Sequence, residues 1–181
     1  MKRLLYIACL LMLVACGRSR GPQLPSRWLG RTEVDSAQLD LMEFNQRMVE
    51  EADAELMHYA LEQNEPYAVY RGGTWVYIVE KGNADLPRYT YGQECTLHLR
   101  VYPLSHRSKE SAGQPVCLLD DYRRFKLGSS ELPFGVSEVV RELNPGAQAR
   151  LLVPWYSAYG VQGNGYVQPY QNVIIDLTIE E

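Results

Sequence analysis

One short amphipathic segment, punctuated at both ends and set between two apolar strand runs, restricts the fold of this chain more than any other feature. Pro133 can open a helix at its first turn, where its missing N–H costs nothing. Val136, Val139, Val140 and Leu143 supply an apolar side, and Asn144-Pro145-Gly146 ends the helix. Ala149 to Val153 and Val173 to Ile179 read as core strands. Between them lie Pro154-Trp155-Tyr156-Ser157-Ala158-Tyr159-Gly160 and a glycine-bearing loop through Gly165. No parallel crossover pattern is visible, so this third of the chain predicts a short helix facing strands.

Upstream, the period changes twice. Leu41, Met42, Met48, Val49, Ala52, Leu56, Tyr59 and Ala60 fall on about one third of a helical wheel, opposite Glu43, Arg47, Glu50 and Asp53. Asp35 with Gln38 makes a capping box, and the helix is expected to run to about Glu62. Its apolar stripe needs a cover, which either the following domain or a second protomer supplies; a homodimer through this helix is one expectation. From Tyr67 the chain turns β-rich. Gly72-Gly73 is a turn, Thr74 to Lys81 a strand, Glu94 to Pro103 a second, and Val116 to Leu127 completes the set.

The N-terminus carries an address. Lys2 and Arg3 precede an uncharged apolar run from Leu4 to Ala15, too short for the ~20 residues that span a bilayer, which is the pattern of a secretory signal. Leu13-Val14-Ala15-Cys16 is similar to the bacterial lipobox, in which the cysteine thiol receives diacylglycerol. The alternative is ordinary cleavage near Ala15. Lipid on Cys16 would hold the mature chain at a membrane, since each buried methylene adds ~0.8 kcal/mol. Residues 16–34 then form a tether rich in Gly, Ser, Arg and Pro, residues 35–66 a helical segment, and residues 67–181 a folded domain.

Removing the signal takes away Lys2 and Arg3 and no acid, so the formal net charge moves from −4 to −6, and nucleic acid is not an expected partner. Cys95 and Cys117 remain, in a compartment where disulfides persist. They are symmetric about a loop near His106, which allows a disulfide across a hairpin; the other reading is two thiols that stay buried and reduced. Cys95 and His98 have ligand-like spacing, but residues three apart on a strand point to opposite faces, so no metal site is expected. His58 and His106 read as solvated surface, and Gly160, Gly163 and Gly165 as turn glycines.

From about Gly92 to Ile179 the chain resembles the FKBP-type peptidyl-prolyl isomerases. The resemblance rests on Phe125-Lys126-Leu127-Gly128, Asn144-Pro145-Gly146, Ala149-Arg150-Leu151 leading into Pro154, Ala158-Tyr159-Gly160, and Pro169 before Ile174-Ile175-Asp176-Leu177. Upstream, the helix followed by Thr74-Trp75-Val76-Tyr77-Ile78 and Gly82 looks like the front half of FKBP-like lipoproteins of the Bacteroidetes, including those associated with gliding motility. The resemblance implies an α+β fold, an antiparallel half-barrel sheet wrapped on one short helix and preceded by the long amphipathic helix. It also implies rotation about X-Pro bonds in proline-containing polypeptides, a chemistry that needs no cofactor.

In that comparison Tyr159 takes the place of the catalytic hydroxyl donor, and Leu99, Leu132, Val136, Tyr166, Val167 and Ile175 form the substrate-binding wall. Several of these positions depart from the family. Leu99 replaces an aromatic, Val136 replaces the tryptophan of the pocket floor, Leu132-Pro133 stands for a valine-isoleucine pair, and Arg123 for an aromatic wall. Leu118, Leu119, Asp120 and Asp121 lie where a Phe-Asp pair is expected. A valine floor leaves a wider or a collapsed pocket. Two functions follow: a membrane-anchored isomerase that helps exported proteins fold, or a catalytically weak module of the same fold that grips polypeptide or joins an envelope complex. Gly17 and the absence of acids through Arg20 favour the outer membrane, facing the periplasm.

Overall fold

The computed structural model describes residues 36–104 and 116–181. Cys16, the tether, Asp35 and His106 lie outside the described residues.

The first element is helix α1, Ser36–Gln63, and Asn64 ends it in the left-handed conformation at φ 55°. Strand β1 is the dipeptide Ala68–Val69, and a single 3₁₀ turn at Arg71–Gly73 leads into β2, Trp75–Lys81. Then come β3, Glu94–Pro103, β4, Leu119–Lys126, the short helix α2, Phe134–Glu142, β5, Ala147–Val153, and β6, Val173–Ile179. All pairings are antiparallel, in the order β1-β2-β5-β6-β3-β4. The predicted α+β architecture is therefore present. Pro133 caps α2 from outside and Leu143 closes it, donating its backbone N–H to the Val139 carbonyl.

Alternation along the central strands explains two cores. Leu151 of β5 pairs with Ile175 of β6, and both bury against α2 with Val136, Val139 and Val140. Their neighbours Leu152 and Ile174 also pair, and face the other side, where Leu56, Tyr59 and Ala60 of α1 cover them. Because successive strand residues point to opposite faces, a strand covered on both sides must be apolar at every position, as Leu151-Leu152-Val153 and Val173-Ile174-Ile175 are.

The compact unit extends from Glu43 to Glu181 and includes most of α1. The expected stripe of α1 divides: Ala52, Leu56, Tyr59 and Ala60 are buried, whereas Leu41 and Met42 are exposed. The domain is thus the cover for the second half of the stripe. Polar contacts add to it: the Trp155 indole donates to the Met48 carbonyl at 3.2 Å and the Asn172 amide to Glu55 at 2.6 Å.

Gly135 shows how closely α2 approaches the sheet. A β-carbon there would collide with Thr74 Oγ1 and Val153 of the sheet side, while its N–H donates to the Ser157 carbonyl at 2.9 Å.

Both readings of the cysteines are corrected in part: the thiols are free rather than bonded, and Cys95 is buried as expected but Cys117 is exposed. The β3–β4 register puts Phe125, not Cys117, opposite Cys95, and Cys117 precedes β4 at the far end of the ladder, where Val101 meets Leu119. Symmetry about His106 misjudged the register, and two residues at opposite ends of a ladder are too far apart to bridge.

Candidate active site

Two loops build the site. The loop after β5 turns tightly: Ala158 N–H donates to the Pro154 carbonyl, Gly160 N–H to the Trp155 carbonyl at 2.8 Å, and Tyr170 N–H closes back on Gly160. Gly160 sits at φ +69°, which lets the chain swing away directly after Tyr159. The second loop runs from Gly128 to Pro133 and delivers the chain into α2. Tyr91 lies against Gly128, and its hydroxyl donates to buried Glu138 of α2. Arg141 bonds the same carboxylate at 3.1 Å and stacks over the Tyr91 ring at 4.2 Å.

Between the loops lies an open cavity of about 780 Å³, a volume in the range of small-ligand sites. Tyr159 forms part of its wall together with Leu132, Ala158 and Tyr156. Tyr159 is half-buried, and no hydrogen bond joins its hydroxyl to another described residue. Burial, with a smaller contribution from the nearby Asp121 carboxylate, pushes its phenol up to about 12. The hydroxyl is therefore protonated at neutral pH and available to donate to a carbonyl.

Asp121 reaches this region because β4 pairs it with Leu99, and directly opposed residues in an antiparallel pair share a face. Arg123, opposite Leu97, is on the same face. It bonds Asp121 at 3.0 Å and Glu131 at 2.8 Å and lies 4.4 Å over Phe125, so Arg123 is the centre of an ion-pair bridge from β4 to the Gly128–Pro133 loop.

Of the expected wall, the structure brings only Leu132 to the cavity beside Tyr159. Leu99, Val136, Val167 and Ile175 are sealed in the core at 2% exposure or less. Tyr166 is on the outer surface at 64%. The four sealed side chains lie on the same side of the sheet as α2 and pack with Val139, Val140 and Leu151 in one core cluster, which leaves them no surface toward the cavity. Tyr91, Ser137 and Tyr156 line the cavity and were not anticipated. Tyr156 is adjacent to the Ala-Tyr-Gly motif, but Tyr91 and Ser137 come from distant segments with no local signature. Among the described residues no cluster of three or more potential metal ligands exists, and no helix is long and apolar enough to cross a membrane.

The architecture matches solved structures. A peptidyl-prolyl cis-trans isomerase from Pseudomonas syringae pv. tomato aligns with a TM-score of 0.56 at 19% identity, over 73% of this chain and 93% of that one. This is an FKBP-like fold. The N-terminal domain of FKBP42 from Arabidopsis thaliana aligns at 0.51 and 18% identity over 64% of this chain and 91% of that one. Wheat FKBP73, with three FKBP domains, aligns at 0.52 and 14% over 64% of this chain and 48% of its own length. No family model and no curated protein sequence matches this chain. Sequence identity this low establishes the FKBP-like fold alone.

Proposed function

We propose that this protein is a lipid-anchored envelope protein that binds proline-containing polypeptides and catalyses rotation about their X-Pro bonds at Tyr159. The observation that carries this reading is the Tyr159 hydroxyl, protonated and half-buried on the wall of an open cavity in an FKBP-like fold. The X-Pro barrier is near ~20 kcal/mol because resonance stiffens the amide, and a thousandfold acceleration requires removing ~4 kcal/mol. Apolar surroundings disfavour the charge-separated planar imide, and one hydroxyl donor holds the carbonyl as the bond twists. Leu132 and Ala158 supply the apolar surface and Tyr159 the donor.

The sealed core favours a second reading, in which the same cavity binds polypeptide with little catalysis. Leu99, Val136, Val167 and Ile175 offer no surface on which a proline ring could stack. A protease-free assay of X-Pro isomerisation separates the two. Acceleration by the wild type that falls at least tenfold in Tyr159→Phe supports the enzyme; rates equal to the uncatalysed reaction in both overturn it.

The lipobox-like Leu13-Val14-Ala15-Cys16 supports attachment through Cys16, as in the FKBP-like lipoproteins of the Bacteroidetes, with the domain on the periplasmic side of the outer membrane among folding exported proteins. Incorporation of labelled fatty acid into the wild type and its loss in Cys16→Ser tests the anchor separately from the catalysis.

A further inference from the structure

The sheet ends differently on its two sides. At one edge β1 is only two residues long, a short strand of the kind that discourages further pairing. At the other edge lies β4, eight residues long, and among the described residues it pairs with β3 alone. Which of its peptide groups face outward follows from the bonds of β3. Glu180 N–H donates to the Thr96 carbonyl at 3.0 Å and Leu104 N–H to the Asn172 carbonyl at 3.1 Å, so the even-numbered residues of this segment direct their peptide groups to β6 and the odd-numbered ones to β4. The odd residues Cys95, Leu97 and Leu99 stand opposite Phe125, Arg123 and Asp121. Asp120, Tyr122 and Arg124 therefore turn their N–H and C=O groups to the free edge, and their side chains lie on the sheet face away from α2.

The order of charges on this edge is self-complementary. Residues 120–124 read Asp-Asp-Tyr-Arg-Arg, and an antiparallel copy centred on Tyr122 sets Asp120 opposite the partner's Arg124 and Asp121 opposite the partner's Arg123. Charge on an edge strand ordinarily prevents pairing. Here it selects one register. Only residues with outward peptide groups can exchange bonds, so the neighbouring two-fold registers are centred on Asp121 or on Arg123, and these set carboxylate on carboxylate or guanidinium on guanidinium. A parallel copy in register sets every charge against its like. The side chains are accessible for the Tyr122-centred pairing: Tyr122 is 61% exposed and stands edge-on to His98. Asp120 and Arg124 are exposed too, and their contacts with His98 and Glu94 are surface pairs, which water holds weakly and which exchange partners readily. Arg123 keeps its bond to Asp121, so a facing copy closes a ring of two aspartates and two arginines on the α2 side.

We propose that β4 is the interface of a two-fold homodimer, in which the β4 strands of two copies pair antiparallel about Tyr122 and join the two sheets. The partner is a second copy because the strand is complementary to its own reversed sequence, the condition that an isologous contact imposes. The pairing sets the partner's Arg123 opposite Asp121, the carboxylate near Tyr159, so assembly reaches the surroundings of both sites. Nothing in it depends on prolyl rotation.

Sedimentation velocity of the full chain reads the assembly, at concentrations up to about 100 μM because a contact between two strand edges is in the weak class. The wild type is expected to approach twice the monomer mass and to dissociate as salt rises. Asp120→Lys with Asp121→Lys makes the strand basic throughout, and Arg123→Glu with Arg124→Glu makes it acidic throughout. Each double variant alone is expected to associate at least about tenfold more weakly, and an equimolar mixture of the two to recover the dimer, since a basic strand then faces an acidic one. Recovery in the mixture also shows that both are folded. Tyr122→Pro leaves the charges alone and removes an outward N–H, which a free edge can lack. It is expected to keep the wild-type circular dichroism spectrum and to lose the dimer, and its result decides the matter where a charge variant fails to fold. A wild type that stays monomeric, a dimer that persists in both charge variants or in Tyr122→Pro, or a mixture of folded variants that associates no more than its components overturns the assignment. A dimer that persists in these variants and is lost in Leu41→Glu with Met42→Glu overturns it as well, by placing the contact on α1.

Discussion

The Tyr156 hydroxyl donates to the Asp53 carboxylate at 2.6 Å, joining the loop that carries Tyr159 to helix α1. The bond spans more than a hundred residues of sequence and meets others of the same kind, from Trp155 to the Met48 carbonyl and from Asn172 to Glu55. The site loop is thus pinned at both ends to α1. A hydrogen bond to a carboxylate is worth about 1.5–3 kcal/mol when sheltered and less where water competes. Tyr156→Phe is expected to lower stability by about 1 kcal/mol in urea unfolding and to increase hydrogen exchange in the loop from Trp155 to Gly160.

Helix α1 is held chiefly by Leu56, which is fully buried against Leu152 and Ile174. Leu56→Ala removes that packing and leaves a cavity, with an expected loss of about 3 kcal/mol. Leu61, on the same helix, is 71% exposed, and Leu61→Ala is expected to stay within about 0.5 kcal/mol of the wild type. Equal losses at the two positions would show that α1 does not cover the sheet in solution.

Raising the pH provides a test of Tyr159. Its folded-state phenol is pushed up to about 12 by burial, against ~10 for an unfolded tyrosine. Above ~10 the unfolded chain releases this proton before the folded one does, so the stability contributed by neutral Tyr159 is complete below pH ~10 and is lost as pH rises toward about 12. The phenolate absorbance of the wild type minus that of Tyr159→Phe is expected to titrate near the higher value. A difference curve centred near ~10 would contradict the burial.

The two thiols are expected to differ in reactivity. Cys95 is buried, which pushes its thiol up to about 11, while Cys117 is exposed. Alkylation at about pH 8 should modify Cys117 in the folded protein and reach Cys95 only after unfolding in urea. Peptide mapping by mass spectrometry reads both, and a peptide linked through Cys95 and Cys117 would contradict the β3–β4 register.

Much of the fold was legible because its signals are local. The Pro133 start and Asn144-Pro145-Gly146 end framed α2, and the strands Glu94–Pro103 and Val173–Ile179 coincide with the expected runs. The site was legible only in part. Tyr159, singled out by the Ala158-Tyr159-Gly160 motif, and Leu132, singled out by the family resemblance, line one cavity, but Leu99, Val136, Val167 and Ile175 were placed on its wall and instead fill the core. Whether an apolar residue lines a pocket or closes one depends on the volumes of neighbours from other elements, which no spacing along the chain records.

By itself the sequence determined the order and type of the elements and which residues are apolar on which face, because backbone periodicity is set within a few residues. Tertiary structure decided the rest. It set the register that places Phe125 opposite Cys95 and so keeps the thiols apart, the side of the sheet that covers the Ala52–Ala60 half of the α1 stripe, and the meeting of Tyr91, Ser137 and Tyr159 around one cavity. Each of these arises from contacts between segments far apart in the chain, where close packing selects among arrangements that the local pattern leaves equal.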